Sequence, residues 1–152
     1  MITIRGHHLF CLLEPLCGID LPNALFNDHK TLNSVADKIL ENPGMQIKII
    51  VGPDDICLPC QYWDNAKGYC IKSPEEQPGL YKLRMQLDKA SLQSVKIIPG
   101  SVFSPIDVYI KIKENVLKDI FQNQICKECP DISSCSERYD EKLRSAIERL
   151  YF

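Results

Sequence analysis

At 152 residues, with 45% hydrophobic and 25% charged residues, the chain is long enough to bury a core without disulfides and is expected to form one domain over residues 1–152. A formal net charge of −2 gives no electrostatic footprint for nucleic acid or an anionic membrane surface, and no run of 18 apolar residues spans a bilayer. Neither partner is therefore expected. Residues 1–8 lack the basic and long apolar segments of a secretory signal, so a cytoplasmic location is expected. In a reducing compartment, eight cysteines point to metal binding or redox chemistry rather than to a disulfide framework.

In chain order, Ile2–Ile4 reads as a strand that Arg5-Gly6 ends. Gly6 to Glu14 has no breaker before Pro15 and reads as a two-turn helix, on which Cys11 shares a face with His7 and His8. The competing reading makes Cys11 a small buried hydrophobe among Leu9, Phe10, Leu12 and Leu13. From Asn23, a good N-cap, to Asn42, apolar residues recur at helical spacing. His29 falls on the inner stripe, as a core or rim histidine rather than a ligand. Met45–Val51 alternates and then becomes continuously apolar, the pattern of a mostly buried strand, and Gly52-Pro53 stops it.

Two strands separated by helices form a βαβ-like crossover, which joins parallel neighbours and gathers functional groups beyond the strands' C-terminal ends. His7, His8 and Cys11 are then expected to share an edge with Cys57 and Cys60, which leave the second strand. Around these thiols, Pro53, Asp54, Asp55 and Pro59 favour a turn, Tyr62 and Trp63 are placed to shield it, and Gly68-Tyr69 reads as the turn that returns Cys70.

Ser73 to Gly79 reads as an exposed connection, Leu80–Val95 as a helix, and Ser104-Pro105 as the N-cap and first position of a helix reaching about Asn123. A last helix from Ser133 or Ser134 carries Tyr139, Leu143, Ile147 and Leu150 on one stripe. Cys126, Cys129 and Cys135 lie in the link before it. The expected fold is α+β: a mainly helical single domain with a small N-terminal sheet and two cysteine-rich metal-binding turns.

A CxxC turn lets two thiolates meet one metal, and two such turns, each with a third cysteine nearby, make metal binding the leading expectation. Zinc needs four nitrogen or sulfur ligands, so each triad needs one more, from His7, His8, Cys11 or Cys17. Iron–sulfur clusters need mostly thiolates, and the cysteine count permits either metal. No Gly-rich phosphate loop, GxSxG or HExxH is present, and no catalytic residue is singled out.

The blocks Arg5-Gly-His-His-Leu-Phe-Cys11-Leu-Leu, Asp54-Asp-Ile-Cys57-Leu-Pro-Cys60 with Cys70, and Cys126-x2-Cys129-Pro with Cys135 resemble those of an uncharacterised bacterial and archaeal family of unknown function, thought to bind iron–sulfur clusters. The resemblance implies His7, His8, Cys11, Cys57, Cys60, Cys70, Cys126, Cys129 and Cys135 as motif positions and leaves Cys17 an ordinary thiol. That family usually has a Trp shortly after the second CxxC, where this chain has Asp131-Ile132. The second triad is also similar to part of the auxiliary [4Fe-4S] domains of some radical enzymes, although Tyr139 stands where those domains have a further cysteine. Three functions are expected in turn. One is an iron–sulfur protein in electron transfer or redox sensing with a redox partner protein. Another is a helical interaction module stapled by structural zinc. The third is a thiol oxidoreductase using Cys57-Leu-Pro-Cys60.

Overall fold

The computed structural model describes residues 1–20, 29–70, 79–125 and 135–151. Strand β1 (Ile2–Arg5) leads into two short helices, α1 (His8–Cys11) and α2 (Leu13–Cys17). Helix α3 (Lys30–Glu41) and strand β2 (Ile47–Ile50) follow, then a hairpin of β3 (Trp63–Asp64) and β4 (Tyr69–Cys70). Helix α4 (Gly79–Val95), strand β5 (Val102–Phe103), α5 (Pro105–Asn115), the single turn α6 (Lys118–Ile120), a π-helical turn at Phe121–Ile125 and α7 (Tyr139–Tyr151) complete the chain. The architecture is α+β and mainly helical.

β1 and β2 pair in parallel, with Ile2 opposite Ile47 and Arg5 opposite Ile50, as the crossover argument requires. The ladder is prolonged by the Gly6 N–H, which donates to the Ile50 carbonyl at 3.0 Å. β5 pairs antiparallel with the other side of β2, giving the order β1–β2–β5; its two residues carry too little pattern to be read from sequence. Ile4, Ile47 and Ile49 leave this sheet fully buried and meet Leu9, Leu12, Leu16, Leu32 and Ile39 in one core. That core extends across Val108, Tyr109 and Ile112 of α5 and Tyr139, Leu143, Ala146, Ile147 and Leu150 of α7. Phe10, Phe121 and Tyr139 stack in succession, with ring centroids 5.2 and 4.9 Å apart, and so tie α1, the π-helical turn and α7 together.

Several element boundaries differ from expectation. The helix read over Gly6–Glu14 is broken at Leu12, and its second piece runs through Pro15, which sits in the first turn of α2, where its missing N–H leaves no intrahelical bond unmade. His29 is not on the inner stripe of α3 but caps it, its Nδ1 accepting the Leu32 N–H at 3.2 Å. Asn23 and the Ser73–Gly79 connection lie largely or wholly outside the described residues.

Ser104 and Pro105 start α5 as read, the Ser104 hydroxyl accepting the Asp107 N–H at 3.3 Å. The helix does not reach Asn123 unbroken: Val116 is extended, so the chain turns before α6 and the π-helical turn. α7 carries the expected buried stripe, and Ser133 and Ser134 fall outside the described residues.

Candidate metal centre

Beyond the C-terminal ends of β1 and β2, two buried carboxylates organise the chain. Asp88, on the inner face of α4 beside Leu87, Ser91 and Leu92, is fully buried and accepts bonds from three residues on two other segments. Arg5 closes a forked pair on it, with Nε 2.9 Å from Oδ2 and 3.1 Å from Oδ1, and Nη2 2.8 Å from Oδ2. His7 donates from its backbone N–H at 3.1 Å and from Nδ1 at 2.7 Å, and the Gly52 N–H donates at 2.9 Å. One carboxylate thereby fixes the end of β1, the end of β2 and α4.

Gly6 allows this approach, because a Cβ at that position would stand 2.6 Å from the Asp88 carbonyl oxygen. Gly52, at φ 105°, turns the chain off β2 in a conformation that side chains resist.

Asp54 plays the matching part on the outer edge of β1. Its Oδ2 accepts the Arg5 N–H at 2.8 Å and His8 Nδ1 at 2.8 Å, while Oδ1 accepts the N–H groups of Ile56 and Cys57, both at 3.0 Å. Asp55 adds a reciprocal pair with Thr3, accepting its N–H at 2.7 Å through Oδ2 and donating its own to the Thr3 carbonyl at 3.1 Å. The edge of β1, otherwise open, is thus covered by the turn that carries Cys57.

The ligand atoms of His8, Asp54 and Cys57 all lie within 4.8 Å of one another. The Asp54 carboxylate already accepts four bonds, about the number its lone pairs accommodate, so it orients His8 and the turn. A carboxylate accepts only, so Nδ1 of each histidine is the donor, and in the neutral tautomer Nε2 carries the lone pair that a metal takes. Histidine ligands of metals are commonly held in this way.

Burial and the neighbouring charges set the protonation of each group. Burial and the Asp54 carboxylate push the Cys57 thiol up to about 12, with the Arg5 guanidinium, whose Nη1 is 3.6 Å from the sulfur, pulling only partly the other way. Burial would raise Asp54 as well, but the charge and hydrogen bond of His8 and the Arg5 N–H outweigh it and hold the carboxyl well below its usual range. Burial lowers His7 to about 4, so at neutral pH it is an uncharged donor and the charge partner of Asp88 is Arg5. Asp88 is brought to about 2: burial opposes this, and the hydrogen bonds of His7 and Arg5 prevail. A cation held by His8, Asp54 and Cys57 would offset the cost of a thiolate beside the Asp54 carboxylate.

The other expected ligands are placed as follows. His7 is turned to Asp88 and does not enter the His8–Asp54–Cys57 group. Cys60 lies in the same turn, its N–H donating to the Cys57 carbonyl at 3.0 Å, and also stays outside that group. Cys70 is returned as expected: the β3–β4 hairpin pairs it with Trp63, three residues beyond Cys60. Cys11 is half-buried against the core; burial raises the Tyr109 phenol, and the nearby Cys11 adds to the shift. Cys135 is half-buried in a helical turn before α7, whereas Cys126 and Cys129 lie outside the described residues. Cys17 is buried and donates to the Glu14 carbonyl at 3.1 Å, an ordinary thiol.

Arg5 and Asp88 were missed as site residues in the sequence reading. The available signal was an acid at position 88, in phase with the apolar stripe of α4, facing a basic residue that follows a buried strand.

The family model described as "Protein of unknown function (DUF1284)" matches residues 27–135. The matched span includes Asp54, Cys57, Cys60, Cys70, Asp88 and the Cys126–Cys135 triad, and leaves Arg5, His7, His8 and Cys11 before it. No curated protein and no solved structure matches the chain.

Proposed function

Because the chain belongs to this family, whose description assigns no activity, we propose a function from the site itself: the protein binds a transition metal at the Cys57 turn. The donor set is the thiolates of Cys57, Cys60 and Cys70 with the imidazole of His8, and the centre is an iron–sulfur cluster serving electron transfer or redox sensing. The observation that carries the reading is the parallel pairing of β1 with β2, which sets His8 beside a buried Cys57 in a turn hydrogen-bonded by Asp54. A buried thiol pushed up to about 12 is a poor nucleophile, which speaks against the thiol-oxidoreductase reading and for a metal as the partner that makes it a thiolate. When bound, a cluster supplies one-electron chemistry. The chain's own residues orient the ligands through Asp54, hold the strand ends through Asp88 and shield the sulfur from water. Cys126, Cys129 and Cys135 form a second thiolate site in this reading, with Cys11 and His7 as further candidate donors.

A second reading, structural zinc, is favoured by one observation: a histidine held by a carboxylate through Nδ1 is a common zinc-site arrangement. An ultraviolet–visible spectrum with iron, sulfide and zinc analysis, on protein purified without oxygen, separates the two. Broad absorption near about 400 nm with stoichiometric iron and sulfide supports the cluster. A colourless protein with one or two zinc ions supports the structural reading, and a protein free of both metals contradicts the proposal.

A further inference from the structure

Arg5 touches both halves of the site. Its Nε and Nη2 are fixed on Asp88, and because the guanidinium is a rigid plane, that fork aims Nη1 at the Cys57 sulfur, 3.6 Å away. The side chain is 4% exposed, and Met85 of α4 lies against it, with Sδ 3.9 Å from Nη2. The Asp88 pair uses Nε and Nη2 and leaves Nη1 facing Cys57. A guanidinium N–H facing a neutral thiol makes a weak bond, and the same donor facing a metal-bound thiolate makes a charge-assisted one.

We propose that Arg5 is a positioning residue of the metal centre, donating an N–H hydrogen bond to the metal-bound sulfur of Cys57 and withdrawing electron density from it. This rests on the reading of Cys57 as a ligand. For an iron–sulfur cluster the bond stabilises the reduced, more negative state and raises the reduction potential; for zinc it tightens binding.

The test uses wild-type protein loaded with cadmium-113 and labelled with nitrogen-15 at arginine. A cadmium resonance in the thiolate range, with scalar coupling to the Arg5 Nη1 group through Cys57, is the expected result. A thiolate-range resonance without that coupling overturns the role of Arg5 and leaves the metal site standing. Absence of any thiolate-bound cadmium overturns the ligand reading and the Arg5 role with it.

Arg5→Lys provides the second measurement, since lysine keeps a charge for Asp88 but cannot fork to Cys57. Folded Arg5→Lys protein with wild-type metal stoichiometry is expected to show a lower reduction potential or, for zinc, a dissociation constant about tenfold higher. Unchanged values in that folded variant overturn the inference.

Discussion

Each residue of Arg5-Gly6-His7-His8 has a separate physical task, and three of the four converge on Asp88. Arg5 and His7 bond its carboxylate, while Gly6 lets its backbone approach; the His8 ring turns instead to Asp54, which also accepts the Arg5 N–H. Asp88→Ala leaves the Arg5 guanidinium buried without its counter-charge, and the expected loss is about 3–5 kcal/mol in urea unfolding. Gly6→Ala drives a Cβ into the backbone of α4 and is expected to cost about 1–3 kcal/mol.

The same residues set an acid limb of stability. The unfolded chain protonates histidine near about 6.5, whereas folded His7 resists until about 4, so stability falls as pH drops through that window. The unfolded carboxyl of Asp88 takes its proton near about 3.9 and the folded one at about 2, so a further loss of about 2–3 kcal/mol follows between pH 4 and 2. Denaturant titrations below pH 4 are expected to show a shallower loss of stability in Asp88→Asn than in the wild type, the remaining slope belonging to carboxyls such as Asp54. Equal slopes in the two proteins would remove Asp88 from this account.

At the scale of elements, the parallel strand pair and the start of α5 were legible because each is specified locally. β-branched runs end at Arg5-Gly6 and Gly52-Pro53, and Ser104-Pro105 supplies both cap and first position. Replacing Ser104 by Ala is expected to cost about 1 kcal/mol in thermal or chemical unfolding, since the Asp107 N–H loses its acceptor. The breaks at Leu12 and Val116 were not legible, because neither position holds glycine or proline. There the stacked Phe10, Phe121 and Tyr139 rings, a tertiary contact, coincide with the change of direction of short helices. Proline misled in the opposite sense at Pro15, where a first-turn position makes it harmless.

At the scale of the molecule, spacing singled out Cys57 and His8 among the candidate ligands, and topology explains their meeting: a parallel crossover delivers both strand ends to one edge. Asp54 was read as a turn-former and proves to be one, with His8 as an added ligand of its carboxylate. Asp88 and Arg5 escaped because their partnership spans 83 positions, a separation that no local pattern encodes. Metal-binding energy at such a site is coupled to folding, so chelation of the purified protein is expected to lower its melting temperature, and to do so less in Cys57→Ser.

The most direct test of the central claim is metal content in wild type, His8→Ala and Cys57→Ser, all purified without oxygen and compared by elemental analysis per chain. The account predicts stoichiometric iron or zinc in the wild type and loss of at least one site's metal in both variants, with His8→Ala still folded by circular dichroism. Full metal retention in both variants would contradict it, because the two side chains that the strand pairing brings together would then hold nothing.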